Sequence, residues 1–118
     1  LDPYIINLGI QFVVKGASGA NKYVLLQRCI RTLKEKYKTC YYIGEPFYIS
    51  DVYSELKNVD GVLDVVKVKL TNKTGTEYSS VTMDINSNLS PDGDYLIVPK
   101  NAIVEIKYPK TDIEGKVR

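Results

Sequence analysis

The sequence predicts an α+β fold, a two-layer sandwich with two helices packed on one face of a mostly antiparallel sheet. Three observations carry that expectation. Two runs rich in β-branched residues, "YIINLGIQFVVKG" and "VLDVVKVKLT", alternate at the period of a strand. Between them Leu26, Cys29, Ile30, Leu33 and Tyr37 recur at helical steps, with the cations on the opposite side. A shorter stripe of Val52, Leu56 and Val59 precedes the second run. At 118 residues, 44% hydrophobic and 25% charged, residues 1–118 read as a single domain. A chain of that length buries roughly 65% of its unfolded surface, enough for a core without staples. The opening "LDPYIINLG" reads as a cut inside a longer chain.

Taken in order, Ile5 to Lys15 is the first strand, and "GASGAN" is the turn into the helix that starts at Lys22. Gly44 and Pro46 forbid a smooth continuation of that helix, and Ser50 is placed to cap a second one, with Asp51 complementing its dipole. Asn58, Asp60 and Gly61 close it, with Gly61 expected in a left-handed conformation. In the next strand Val66, Val68 and Leu70 share one face, and Lys67 and Lys69 the other. A hairpin through "NKTGTEY" is expected to return along Tyr78, Val81, Met83 and Ile85, with a bulge between Tyr78 and Val81. "NSNLSPDGD" is loop chemistry. A last pair of apolar runs is broken at Pro99, and the tail "KTDIEGKVR" is expected on the surface.

The chemistry is mostly defined by what is missing. Histidine is absent, which removes the usual general base and the commonest metal ligand. Cys29 and Cys40 form no CxxC pair; Cys29 lies on the apolar side of the first helix and reads as a buried thiol, while a disulfide between the two stays open. "GASGANK" lacks the spacing of a phosphate-binding loop and reads as a plain turn. Asp51 and Glu55 share a helical face without a nucleophile or base nearby, and read as solvated charges. Asn88, Asp92 and Asp94 lack the regular oxygen spacing of a calcium loop. The residues therefore specify no catalytic group, no cofactor, no metal and no small-molecule substrate. No apolar run approaches the roughly 18 residues of a membrane span.

Net charge is +2, too small to argue for nucleic acid, yet it is unevenly spread. Lys22, Arg28, Arg31, Lys34, Lys36 and Lys38 make residues 22–38 basic, and Glu45, Asp51, Glu55, Asp60 and Asp64 make the following stretch acidic. A small RNA- or DNA-binding module using the basic helix is the alternative reading. Neutralisation of that helix by the acidic flank of the second is favoured over it. Tyrosine, at 10 residues, is the feature most in need of a partner, because interfaces are enriched in it. Tyr41, Tyr42, Phe47, Tyr48 and Tyr53 are the interface candidates, with the sheet edges and the 86–94 loop beside them.

The order "YYIGEPFYISDVYSELKNVDGVLDVVKVKL" resembles the C-terminal region of baseplate J-like proteins, a family that includes wedge subunits of contractile-tailed phage baseplates. The likeness runs from Ile5 to Leu70, and "DGDYLIVPKNAIVEIKYPKTDIEGKV" is similar to the closing sheet of such wedge proteins. The resemblance implies a structural, non-enzymatic domain of a myovirus-type baseplate wedge protein. Its partners would be other baseplate subunits and copies of itself. Its place would be the virion's tail baseplate, reached through assembly in the host cytoplasm.

Overall fold

The computed structural model describes residues 4–38 and 43–118. Its spine is β1 (Tyr4–Gly16), whose even-numbered residues Ile6, Leu8, Ile10, Phe12 and Val14 are all buried. Full burial of each such side chain contributes about 1.5–3 kcal/mol. Along one edge β1 pairs antiparallel with β3 (Val62–Asn72), from Leu8 opposite Asn72 to Gly16 opposite Val62. Along the other edge two strands dock end to end, both parallel to β1. These are β5 (Ala102–Glu105), beside Tyr4 to Asn7, and β6 (Ile113–Val117), beside Ile10 to Val14. The fold is α+β as expected, but the sheet is mixed rather than mostly antiparallel.

Two helices cover the inner face of this sheet. Helix α1 (Lys22–Tyr37) buries Leu25, Cys29, Leu33 and Tyr37 over the β6 side, and α2 (Ile49–Lys57) buries Ile49, Val52 and Leu56 over the β3 side. Asn21 caps α1 by accepting from the Val24 amide at 3.1 Å. Burial pushes the Cys29 thiol up to about 11 and leaves it without a charge to react from. Cys40 lies outside the described residues. Helix α2 begins one residue before the expected cap: Tyr48 stands at its N-cap, and the Ser50 amide donates to the Asp94 carbonyl at 3.0 Å. A neighbouring loop carbonyl thus replaces the side-chain cap that Ser50 was expected to supply. Gly61 has φ +96°, as expected of the residue that releases the chain into β3.

The expected hairpin after β3 does not form. Residues 73–84 instead form a strap with no strand of its own, held at Ser79 by Asn7 on the outer face of the sheet and at Met83 by Asn72 at the end of β3. The Asn72 side chain explains much of this. Its Nδ2 donates to the Met83 carbonyl at 2.8 Å and its Oδ1 accepts from the Met83 amide at 3.3 Å, so backbone groups that a returning strand would pair are already satisfied. Bulges occur in β3 rather than in the strap, where register shifts leave Leu63 and Val66 without partners on β1.

The tail is also corrected. After a single helical turn (Pro109–Asp112) it forms β6, with Asp112 and Ile113 buried. Its alternation was concealed because one inward position is glycine. A Cβ on Gly115 would lie 2.0 Å from Cζ of Phe12, so the ring occupies the space that a side chain there would need. Among the described residues no helix is long and apolar enough to cross a membrane.

Candidate functional site

The candidate surface is built on a second, two-stranded sheet in which β2 (Phe47–Tyr48) pairs antiparallel with β4 (Tyr95–Leu96). Alternation across this pair separates two roles. Phe47 lies opposite buried Leu96 and is itself partly buried, with its ring stacked on Tyr37 at 5.4 Å between centroids and 29° between planes. Tyr48 lies opposite Tyr95, their centroids 5.8 Å apart, and is 48% exposed. Beyond β4, Ile97 is 50% exposed. Phe47 is therefore a seam residue, while Tyr48, Tyr95 and Ile97 form the outward aromatic and aliphatic patch.

The other candidates divide differently. Tyr53 stands away from that pair, against the edge of β3, where its hydroxyl oxygen accepts from the Val68 amide at 3.2 Å. Tyr41 and Tyr42 lie outside the described residues. Sequence reasoning missed Tyr95 and Ile97, although the alternation of "YLIV" before Pro99 was the available signal. Beside this small sheet a cleft of about 360 Å³ is lined by Tyr37, Phe47, Val104 and Ile106, with Lys36, Glu45 and Asp51 among its polar groups. Glu55 does not join Asp51 there as a catalytic pair, because Lys36 holds its carboxylate at 3.6 Å. That bridge also joins α1 to α2, as the opposed charges of the two helices led one to expect.

The Asp92–Asp94 turn is closed by its own hydrogen bonds. Asp92 accepts from the Ser90 hydroxyl at 2.8 Å and from the Asp94 amide at 3.2 Å. The Ser90 bond leads in holding the Asp92 carboxyl below its ordinary value, and the neighbouring Asp92 raises that of Asp94. Asn88 turns instead to the Asp84 carbonyl, at 2.7 Å. Among the described residues no group of three or more His, Cys, Asp or Glu side chains could hold a metal ion.

A buried polar network under the strap had no sequence signal. The Tyr78 hydroxyl donates to Asp112 Oδ1 at 2.7 Å, and the Tyr108 amide donates to Asp112 Oδ2 at 3.2 Å. The bond to Asp112 pushes the Tyr78 phenol up to about 12. Asn7, 2% exposed, accepts from the Ser79 amide at 2.7 Å. Lys107 donates to the Glu77 carbonyl, and the Tyr78 ring meets Tyr108 edge-on at 5.5 Å. This arrangement fastens the strap to β1 and to the turn before β6; it holds no nucleophile paired to a base. No protein-family model matches the chain, and no curated protein matches it.

Proposed function

We propose that the chain is a structural, non-catalytic domain of a phage tail baseplate wedge subunit, working by protein–protein contact. The observation that carries this reading is the outward patch of Tyr48, Tyr95 and Ile97, an aromatic and aliphatic surface on a short two-stranded sheet fixed by the Phe47–Tyr37 stack. Aromatic residues at the centre of a protein contact supply much of its energy, and a rigid support lowers the entropy cost of using them. The resemblance to baseplate J-like proteins supplies the kind of assembly: neighbouring baseplate subunits and other copies of the chain.

The nucleic-acid alternative through residues 22–38 draws less support from the geometry. Lys36 pairs with Glu55 at 3.6 Å, Lys38 with Glu35 at 2.8 Å, and the Arg28 guanidinium reaches the Asp60 carbonyl at 3.5 Å. The discriminating experiment is co-purification of the chain with the products of its flanking reading frames. Wild type should co-elute with at least one of them. Tyr48→Asp combined with Ile97→Asp should lose that partner at least tenfold while melting unchanged; co-elution undiminished in this double variant would remove the patch from the contact. Binding to oligonucleotides at low salt in place of any protein partner would favour the alternative.

A further inference from the structure

The outer face of the sheet is divided. Its Asn7 end lies under the strap, and its other end carries Gln11, Val13 and Lys15 on β1 with no strap over them. Register places charges around that open end in rows. Lys67 and Lys116 flank Val13, and Lys69 and Glu114 flank Gln11, all four of them exposed. Lys15 lies opposite Asp64, and Lys73 reaches Glu114 at 4.0 Å. Among the described residues, Lys15, Lys67, Lys69 and Lys116 are the cations of this face that belong to no ion pair. At the β3 edge, across a groove of about 660 Å³ lined by Lys69, Thr71, Asp84 and Asp92, the acidic turn stands beside Lys69.

We propose that this bipolar surface is a two-fold contact between copies of the chain, with Lys67 and Lys69 of each copy set against Asp92 and Asp94 of the other. The partner is identified by charge complementarity within one molecule. A cationic row and an acidic turn side by side are self-complementary under a two-fold axis, and such isologous contacts are the commonest way for copies to associate. The crowded carboxylates of Asp92 and Asp94, which hold the Asp94 carboxyl above its ordinary value, gain a counter-charge in that arrangement. Leu63 and Val66, 57% and 45% exposed on the same strand, offer apolar area beside the lysines. The contact is between side chains and is not an added strand. The Val65 amide is taken by Asp64 Oδ1 at 2.9 Å and the Val68 amide by Tyr53 at 3.2 Å, which blunts the β3 edge against ladder extension. Nucleic acid fits the face less well, because Glu114 and Asp64 interrupt it and no aromatic side chain of β1, β3 or β6 offers its bases a stacking platform there.

This inference rests on the reading of the chain as an assembly module; its acidic turn adjoins Tyr95, but Lys67 and Lys69 stand on β3, away from Tyr48 and Ile97. Failure of one therefore leaves the other standing. The test is sedimentation velocity of the 118-residue chain at about 100 μM, in roughly 20 mM and 500 mM salt, where screening changes most. Wild type should show dimer at low salt and monomer at high salt. Lys67→Glu/Lys69→Glu and Asp94→Lys, which keeps the Asp92 bonds that close the turn, should each weaken association at least tenfold, with unchanged circular dichroism. An equal mixture of the two variants should form a heterodimer. A wild type that stays monomeric at low salt overturns the proposal, as does a mixture that stays monomeric. Oligonucleotide binding lost in Lys67→Glu/Lys69→Glu, without self-association of wild type, overturns it in favour of a polyanion surface.

Discussion

On the inner face of the central sheet, Leu8, Ile10, Phe12 and Val14 of β1 are each at most 2% exposed and meet the apolar stripes of two helices. On the outer face the same strand carries Asn7, Gly9, Gln11, Val13 and Lys15, covered at one end by a strap and open at the other. Inside, stability comes from removing apolar area from water, which is not directional and is sensitive to volume. Outside, the strap is held by a few directional bonds to Asn7 and Asp112, with Asn72 taking its far end at the end of β3, and the open end is held by almost nothing but its strands. The difference teaches that one strand can supply a core and a workable surface simply by alternating, and that the two should fail in different ways.

The largest effects belong inside. Phe12→Ala should cost about 3–5 kcal/mol in urea unfolding. Gly115→Ala should cost about 1–3 kcal/mol, because its Cβ would enter the Phe12 ring, and adding Phe12→Leu should recover part of that loss. A strictly additive double mutant would show that the ring and the glycine are not coupled. On the covered outer end, Asp112→Ala should cost about 1–3 kcal/mol by leaving the Tyr108 amide and the Tyr78 hydroxyl unpaired. Hydrogen exchange should then quicken at the Ser79 amide more than at amides of β1, and uniform acceleration would contradict a separate strap.

The Tyr78 phenol gives a pH test of the same fastening. Its folded value of about 12 exceeds the ordinary tyrosine value of about 10. Its contribution is therefore fully present below about pH 10 and is lost as pH rises through about 12. Wild type minus Tyr78→Phe stability, followed by chemical unfolding at stepped pH, should be flat below that window and fall within it. A difference that stays constant up to pH 12 would place the hydroxyl's role elsewhere. The smallest effect belongs to the open end, where Lys67→Glu/Lys69→Glu should change monomer stability by no more than about 0.5 kcal/mol even as it abolishes pairing of copies.

Much of the inner face was legible before the structure. Cys29, Leu33 and Tyr37 were placed on the buried side of α1, and Val52, Leu56 and Val59 on that of α2, because helical spacing is written into the side chains themselves. The outer face was not. Tyr78, Val81 and Met83 alternate poorly and suggested a bulged strand, whereas Asn72 and Asn7 hold that segment as a strap. At the candidate surface Tyr48 was legible as an exposed aromatic, but Phe47 was assigned the same role although it lies opposite buried Leu96. Only the pairing with β4, some fifty residues later, separates those neighbours.

The sequence by itself determined the class, the two helices, the long first strand, the glycine exit at Gly61 and the absence of histidine chemistry, all of which depend on residue type and local period. Tertiary structure alone decided that β5 and β6 run parallel to β1, that the polar tail becomes a strand over a glycine, and that lysines from separate strands lie in rows beside an acidic turn. The physical reason is that every backbone offers nearly the same donors and acceptors. Which edges meet is therefore settled by packing across the whole chain, after local pattern has already fixed what each element is.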